Sequence, residues 1–218
     1  MTIPLANALM RAGSMAWVVL ALGCGGGGDG VTLTKATVCS GSYSACGGDP
    51  TGTWDMAGVC VEGDLAANID AQLSDKYAAC AGSITNATVA GGGSVTYSGG
   101  NATYDAKEEL VSTLAYSPAC VAAISSGATL SASVCTQVQS NLNAETNTKG
   151  NCSYDGSHCN CTMTVTNPDT VTHTFSVSGS TISESDGSSY QFCVNGSSMS
   201  QRQSVGGSTY IISQFSKR

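Results

Sequence analysis

Two runs of alternating apolar and polar residues, separated by a turn motif, occur in CNCTMTVTNPDTVTHTFSV, residues 159–177. Apolar residues from Cys161 to Val165 alternate with threonines before Asn167-Pro168-Asp169, and the alternation resumes from Val171 to Val177. A period of two places the apolar side chains on one face of a β-strand, and Asn, Pro and Asp are common turn residues. This segment therefore predicts two half-buried strands and a mainly β fold.

Short-range patterns predict further strands on both sides of this segment. They cover Thr53–Val61, Ser94–Ser98, Asn101–Asp105, Leu110–Tyr116, Tyr190–Val194 and Tyr210–Phe215. In the strand Thr53–Val61, a period of two puts four positions on one face, namely Trp54, Met56, Gly58 and Cys60. Gly99-Gly100 and Asn195-Gly196 are dipeptides that favour two-residue hairpin turns. Together with the two strands above, the patterns predict about eight strands.

Three helical segments interrupt the strands, near residues 64–80, 117–125 and 129–143. Asp64 is a suitable N-cap for the first segment, in which apolar residues recur every three or four positions. Ser117 followed by Pro118 is a typical start for the second. The third carries apolar residues at spacings of four, namely Leu130, Val134, Val138 and Leu142. We therefore expect a β domain with inserted helices.

The chain contains eleven cysteines, an odd number, and Cys24 differs from the others in its surroundings. It follows a short apolar run that Arg11 precedes, which is the charge order of an export signal. The run is too short to span a bilayer. Gly23-Cys24 resembles the lipobox of bacterial lipoproteins, although Ala21 and Leu22 are transposed. The resemblance implies removal of residues 1–23 and lipidation of Cys24; the alternative is an ordinary signal peptide with cleavage nearby.

The other ten cysteines suit five disulfides, because export places them in an oxidising compartment. They are Cys39, Cys46, Cys60, Cys80, Cys120, Cys135, Cys152, Cys159, Cys161 and Cys193. Spacing does not determine the pairing; Cys39–Cys46 and Cys120–Cys135 are the local pairs that we suggest, and free structural cysteines are the alternative. Only 6% of the residues are aromatic, so disulfides would supplement a core with few large side chains.

The composition limits the partners of the chain. Its net charge is −7 and it has no basic cluster, which argues against nucleic-acid binding and against a second, electrostatic membrane contact. We therefore expect membrane contact only through an N-terminal lipid. Residues 24–50 are rich in Gly, Ser and Thr and predict a flexible tether. Residues 51–218 are expected to form a single domain.

Three short motifs resemble the cysteine-rich, lipocalin-like lipoproteins of Gram-negative bacteria. They are the strand starts Gly52-Thr53-Trp54 and Cys159-Asn160-Cys161 and the hairpin YQFCVNGSSM at residues 190–199. The resemblance covers residues 51–200 and implies a lipocalin-like antiparallel barrel of about eight strands, with Trp54 under one end. The predicted helices depart from a simple eight-stranded barrel. The resemblance carries over no catalytic residue.

The two histidines do not indicate catalysis. His158 lies among Cys152, Cys159 and Cys161, which could bind zinc as thiolates, but an oxidising compartment favours a disulfide-bonded turn. His173 falls on the alternating apolar face of its strand, so we interpret it as a partly buried strand residue. Neither histidine accompanies a nucleophile motif, and we expect no hydrolytic triad.

The carboxylates also give no catalytic pair. Glu108-Glu109, with Asp105 nearby, is the main acidic cluster, and adjacent strand residues point to opposite faces. We interpret this cluster as a solvated barrel face. Asp155-Gly156 is interpreted as a turn that lacks the further ligands of a calcium site. We therefore expect no enzyme activity, no metal and no cofactor.

The expected protein is a lipoprotein anchored in the outer membrane, with its domain facing the periplasm or the cell surface. Its barrel would bind a small apolar ligand or an envelope protein. The candidate wall of the ligand pocket is formed by Trp54, Met56, Phe175, Tyr190 and Phe192. The same residues would serve as plain core packing in a filled barrel. The alternative function is that of a structural or adhesive surface protein without a pocket.

Overall fold

The computed structural model of the protein describes residues 31–167 and 170–218. The predictions for the signal segment, for Cys24 and for Pro168-Asp169 lie outside the described residues. The chain is mainly β and divides into two compact units. Among the described residues, the first unit comprises 64–88 and 110–166; the second, which we call the barrel unit, comprises 31–63, 89–109 and 167–218.

Eight strands of the barrel unit form a closed antiparallel barrel. The described strands are, in chain order, β1 (Thr34–Lys35), β2 (Thr37–Val38), β3 (Gly52–Glu62), β4 (Ile84–Ser98), β5 (Asn101–Tyr116), β6 (Thr148–Tyr154), β7 (Cys159–Asn167), β8 (Thr170–Ser178), β9 (Thr181–Glu184), β10 (Ser189–Asn195), β11 (Ser198–Gly206) and β12 (Thr209–Lys217). The barrel order is β4-β3-β12-β11-β10-β9-β8-β5, and β5 closes the ring by pairing with β4. The expected antiparallel barrel of about eight strands is confirmed.

Two tight turns depend on glycine. Gly99 and Gly100 connect β4 to β5 with φ angles of 56° and 77°, which residues with a Cβ rarely adopt; this hairpin is confirmed. Between β10 and β11, Asn195 pairs with Ser198, so the loop lies one residue later than predicted. Its first position is Gly196, with a φ of 61°, as in a type II′ turn.

An irregularity in β3 changes which residues share a face. Met56 pairs with Phe215 on β12, whereas Gly58 pairs with Gln214. Because Gln214 and Phe215 are consecutive, their side chains point to opposite faces of the sheet. Their partners Gly58 and Met56 therefore also occupy positions on opposite faces. The extra residue between them is a β-bulge. The predicted single face that continues from Met56 to Cys60 is therefore wrong.

The three predicted helices are present in the first unit. They are α1 (Leu65–Lys76), α2 (Pro118–Ile124) and α3 (Ala132–Ala144), and a 3-10 helix, Ala78–Cys80, follows α1. The carboxylate of Asp64 accepts a hydrogen bond from the backbone N of Ala67 at 3.0 Å. Ser117 and Ser131 cap α2 and α3 in the same way. Side-chain caps of this kind determine where each helix begins, because they satisfy backbone N–H groups of the first turn.

All ten cysteines in the described part of the chain form disulfides. The pairs are Cys39–Cys60, Cys46–Cys193, Cys80–Cys120, Cys135–Cys159 and Cys152–Cys161. The expected number of five is confirmed, but the suggested local pairs Cys39–Cys46 and Cys120–Cys135 are wrong. The entropic cost of closing a loop rises only slowly with its length, so proximity in sequence selects partners weakly.

Residues 31–50 differ from the flexible tether that their composition predicts. Strand β1 pairs with β4, and β2 pairs in parallel with β3. Cys39 and Cys46 bond this segment to β3 and β10, and Tyr43 Oη donates a hydrogen bond to the carbonyl of Gln191 at 2.9 Å. The tether remains a prediction only for residues 24–30, which lie outside the described residues.

The alternating segment at residues 159–177 forms β7 and β8, but these strands do not pair with each other. Strand β7 pairs with β5 and β6, whereas β8 pairs with β5 and β9. Strand β5 is 16 residues long, so different parts of it can pair with β7 and β8. Its first five residues, Asn101–Asp105, pair with β8. The alternation therefore predicts the two strands correctly and leaves their partners open.

Candidate functional site

The five predicted wall residues come together inside the barrel. The interior cluster, as we call it, consists of Trp54, Val95, Tyr97, Ala102, Ile182, Tyr190, Phe192, Met199 and Phe215. Trp54 and Phe192 are fully buried, while Met56 and Phe175 are partly buried and pack against the cluster. The rings of Tyr97 and Phe175 meet edge to face, with centroids 4.9 Å apart. The predicted wall thus packs on itself and on other barrel side chains.

A chain of hydrogen bonds leads from the interior cluster to a buried carboxylate. Gln201 Nε2 donates to Tyr97 Oη at 2.6 Å, and Tyr97 Oη lies 3.2 Å from Tyr104 Oη. Tyr104 Oη in turn donates to Glu184 Oε1. The four side chains come from β11, β4, β5 and β9, so only the assembled barrel brings them together.

The carboxyl of Glu184 is strongly affected by its surroundings. Glu184 is only 6% exposed. Burial raises its pKa to about 7, the hydrogen bond from Tyr104 lowers the pKa, and the charge of Asp186 raises it further. Burial, with a smaller contribution from the charge of Glu184, also raises the pKa of Tyr97 and Tyr190. Near neutral pH, both the ionised and the protonated forms of Glu184 are therefore populated.

Replacement of Glu184 by glutamine is expected to stabilise the protein at high pH and to change little at low pH. The pKa of Glu184 is about 7 in the folded state and near its ordinary value of 4.5 in the unfolded state. The folded state therefore binds this proton more tightly, and wild-type stability falls as pH rises between these values. Above pH 7, Glu184→Gln should be more stable by on the order of 1–3 kcal/mol.

Urea unfolding of both proteins at about pH 4 and about pH 8, in buffer containing a chelator, measures this difference. The same stability difference at both pH values would contradict the raised pKa of Glu184.

Two further ionisable side chains, those of His173 and Asp186, lie close to Glu184. In the register of β8 and β9, Phe175 pairs with Glu184, and His173, two residues before Phe175, lies on the same face. The chain then turns at Asp186. His173 Nε2 lies 4.0 Å from Asp186 Oδ2, and the ligand atoms of all three residues lie within 4.8 Å of one another. The side chains of His173 and Asp186 are 10% and 13% exposed.

Our sequence patterns missed Glu184 because they did not predict β9. This strand has only four residues, Thr181–Glu184, and serines and glycines on both sides favour a loop interpretation. The sequence does contain one signal: Ile182 and Glu184 are two residues apart, so in a strand their side chains point to the same face. Because an isoleucine is expected to be buried, the carboxylate of Glu184 is expected on the buried face as well. His173 was identified correctly as a partly buried strand residue, but its acidic neighbours were not.

The cysteines around His158 contain no free thiolate. Cys152 and Cys161 lie directly opposite each other on β6 and β7 and are bonded to each other, while Cys159 is bonded to Cys135. The disulfide-bonded turn expected here is confirmed. Thiolate coordination of zinc would require these disulfides to be reduced.

The turn at Asp155 is held by its own side chain. Asp155 Oδ1 accepts hydrogen bonds from the backbone N of His158 and of Ser157, at 2.7 Å each. These bonds, with a further one from Asn160, lower the pKa of Asp155. The carboxylate is thereby used within the turn, in agreement with the predicted structural role.

The acidic cluster on β5 is only partly solvated. Glu108 is half-buried, and burial raises its pKa while a hydrogen bond with Asn167 lowers it. The interpretation of Glu108 as part of a solvated face is therefore wrong. Because β5 is extended here, Glu108 and Glu109 point to opposite faces, and the two carboxylates do not converge.

An open groove of about 380 Å³ lies between residues 34–43 and the outer wall of the barrel. Tyr43 and Ile212 contribute to its lining. Arg202 stacks on the ring of Tyr210 at 3.5 Å and pairs with Glu62 at 3.0 Å. The five predicted wall residues do not line this groove, so it is unrelated to the predicted apolar pocket.

Among the residues that the structure describes, no helix combines the length and apolar character needed to cross a membrane. Comparisons of the chain with protein-family models, curated proteins and solved structures find no match.

Proposed function

We propose that this chain is an exported lipoprotein of the outer membrane, anchored through Cys24, whose barrel is a disulfide-bonded structural or adhesive module. The observation that carries this proposal is the complete pairing of the other ten cysteines. It leaves Cys24 as the odd cysteine of eleven. Disulfides persist in oxidising compartments, which agrees with export, and the position after Gly23 is where the lipobox resemblance places a lipid.

The packing of the interior cluster supports a barrel that does not carry an apolar ligand. Trp54, Tyr97 and Phe192 are each 0% exposed, and Met199 is 1% exposed. A pocket for a small molecule is a cleft whose lining side chains leave space for the ligand. Two of the predicted wall residues, Trp54 and Phe192, have no exposed surface that could line such a cleft, so core packing is their simpler role.

The attachment of residues 31–50 to the barrel limits the distance between an anchored domain and the membrane. With this segment bonded to the barrel through Cys39 and Cys46, only residues 24–30 separate the proposed lipid from the folded domain. A glycine-rich linker of that length has an r.m.s. reach of about 15 Å. We therefore propose that the barrel is held close to the membrane surface.

A second candidate is the binding of a small apolar ligand or of an envelope protein. It is supported by the partial exposure of Met56 and Phe175, which pack against the interior cluster together with Tyr104 and Val194. A ligand beside Phe175 would lie close to the Tyr104–Glu184 hydrogen bond, because Phe175 pairs with Glu184 in the register of β8 and β9. The resemblance to lipocalin-like lipoproteins also supports this candidate. Native mass spectrometry after gentle membrane extraction would detect a retained ligand, and its loss in Phe175→Ala would place it beside Phe175.

Intact-mass spectrometry of the membrane-extracted protein tests the main proposal. We expect a lipid mass on Cys24 and a gain of ten hydrogen atoms on reduction, because each of the five disulfides takes up two. Cys24→Ala is the matched control: it should lose the lipid and the membrane retention but keep the gain of ten. An unmodified Cys24 would contradict the anchor, and a different hydrogen gain would contradict the pairing.

A further inference from the structure

Three ionisable side chains converge at one end of β9. His173 comes from β8, Glu184 is the last residue of β9, and Asp186 lies in the turn that follows. Their ligand atoms lie within 4.8 Å of one another, and His173 Nε2 is 4.0 Å from Asp186 Oδ2. All three belong to the barrel unit. The set combines one imidazole and two carboxylates, which are common ligands of divalent transition metals.

Two polar atoms of this set are buried without a hydrogen-bond partner. Glu184 is 6% exposed, and its Oε2 has no partner, although Oε1 accepts the hydroxyl of Tyr104. His173 Nε2 is likewise buried and unpartnered, since 4.0 Å from Asp186 is too long for a hydrogen bond. A buried polar atom without a partner is costly. Both atoms belong to the converging set, so a single bound species could satisfy both.

The remaining lone pairs of the two carboxylates are held in fixed directions. Ser188 donates to both oxygens of Asp186, from its backbone N at 2.8 Å and from its Oγ at 2.7 Å. Tyr104 donates its hydroxyl to Oε1 of Glu184 and so fixes the direction of this carboxylate. Outer groups that orient metal-binding side chains in this manner are a regular feature of metal sites.

We propose that His173, Glu184 and Asp186 bind one divalent transition-metal cation, such as Zn²⁺ or Mn²⁺, through Nε2 of the imidazole and one oxygen of each carboxylate. An imidazole ligand favours these ions over Mg²⁺ and Ca²⁺, which prefer oxygen alone. Three protein ligands leave a coordination position for water or for a further ligand. This site goes beyond the proposed anchoring and display, and it does not depend on them.

The three side chains must move closer together to hold the ion. Ligand atoms about 2.0–2.2 Å from a tetrahedral Zn²⁺ lie about 3.3–3.6 Å from one another. The present atoms lie within 4.8 Å of one another, and His173 Nε2 is 4.0 Å from Asp186 Oδ2, so binding requires the widest pair to approach by up to about 1.5 Å. The residues of the turn, Ser185, Asp186 and Gly187, are exposed as a whole although the Asp186 side chain is only 13% exposed, and a turn at the surface has room for this movement.

The charges also favour a cation here. The ligand atoms of two carboxylates, Glu184 and Asp186, lie within 4.8 Å of each other. A divalent cation would neutralise both carboxylates and remove their mutual repulsion.

Equilibrium dialysis of the chelator-treated, tag-free protein against Zn²⁺, followed by metal analysis, tests this proposal. We expect one Zn²⁺ per chain and a rise in the midpoint of thermal unfolding, because the ion binds only the folded site. His173→Ala should lose both effects. The chain has only one other histidine, His158, and His158→Ala is the matched control, expected to bind like the wild type. Ser188→Ala should weaken binding by about 10- to 100-fold, as expected for the loss of an orienting group.

Glu184→Gln keeps the test decisive if His173→Ala does not fold. This substitution keeps the size of the side chain and an oxygen that can accept the hydroxyl of Tyr104, but it removes a charged ligand. The variant should show cooperative thermal unfolding without metal, which demonstrates folding, yet lose the Zn²⁺-induced rise. Absorption of bound Co²⁺ provides a second signal, with imidazole and carboxylate ligands expected in place of thiolates. Absence of stoichiometric Zn²⁺ in the wild type, or equal binding by wild type and Glu184→Gln, would overturn the proposal.

Discussion

Phe192→Ala is expected to lower the free energy of unfolding by about 3–5 kcal/mol. Phe192 is 0% exposed and lies in the interior cluster, among Trp54 and Tyr190. Truncation removes its buried apolar surface and leaves a cavity that the surrounding β-strands cannot fully close, because strand pairing limits their movement. Urea unfolding followed by tryptophan fluorescence and circular dichroism measures the loss.

Val177→Ala is the control for this substitution. Val177 lies on β8 of the same barrel but is 41% exposed, so its truncation should change stability by less than about 0.5 kcal/mol. A loss of less than about 1 kcal/mol for Phe192→Ala would indicate a loosely packed interior. That result would shift the proposal from a structural module to the ligand-binding candidate.

Removal of the Cys46–Cys193 disulfide by a double alanine substitution is expected to have an effect of similar size. The two cysteines are 147 residues apart in sequence. In the chain-entropy model, a loop of this length contributes about 5 kcal/mol, by restricting the unfolded chain. The bond also holds residues 31–50 against β10, where the backbone N of Gly47 donates to the carbonyl of Phe192 at 3.0 Å.

The Cys39–Cys60 disulfide provides the matched comparison, because it also joins the N-terminal segment to the barrel. Its sequence separation is 21, for which the same model gives about 3 kcal/mol. Removing Cys46–Cys193 should therefore cost about 1.5–2 kcal/mol more than removing Cys39–Cys60. If both removals cost the same, native contacts around the bonds, rather than loop length, determine their contribution.

Local sequence patterns were sufficient to predict the helices. Asp64 and Ser117 are N-caps in the structure, as predicted, and α1 and α2 begin at the next residue in each case. Capping and helical periodicity involve residues within about four positions of one another. Such short-range interactions are visible in a single chain, and tertiary contacts here did not override them.

Pairings over long distances could not be predicted in the same way. Cys46 bonds to Cys193 instead of the nearby Cys39, because strand β10 lies next to residues 46–47 in the barrel. The bulge in β3, which places Met56 and Gly58 on opposite faces, is likewise defined by the register with β12. In both cases the deciding neighbour lies more than 100 positions away, so local spacing contains no information about it.

The candidate metal site illustrates the same limit for function. His173 was identifiable as a strand residue, but Glu184 and Asp186 follow it in a serine-rich segment that predicts a loop. Their convergence depends on the β8–β9 register and on the turn that Ser188 stabilises through Asp186. A cluster of this kind becomes visible only when side chains from a strand, its neighbour and a turn are placed in three dimensions.

The alternation in residues 159–177 was enough to identify β7 and β8 as strands, because side-chain period is a property of one chain segment. The odd count of cysteines likewise required only the sequence, and so did the scarcity of large apolar side chains. Which strands pair was decided by the tertiary structure, where β5 lies beside both β7 and β8. Backbone N–H and C=O groups are the same in every strand, so hydrogen bonding alone selects no partner. The selection comes from the side chains that each pairing buries, in the barrel for β8 and in the first unit for β7, where Cys159, Cys161 and Met163 are buried.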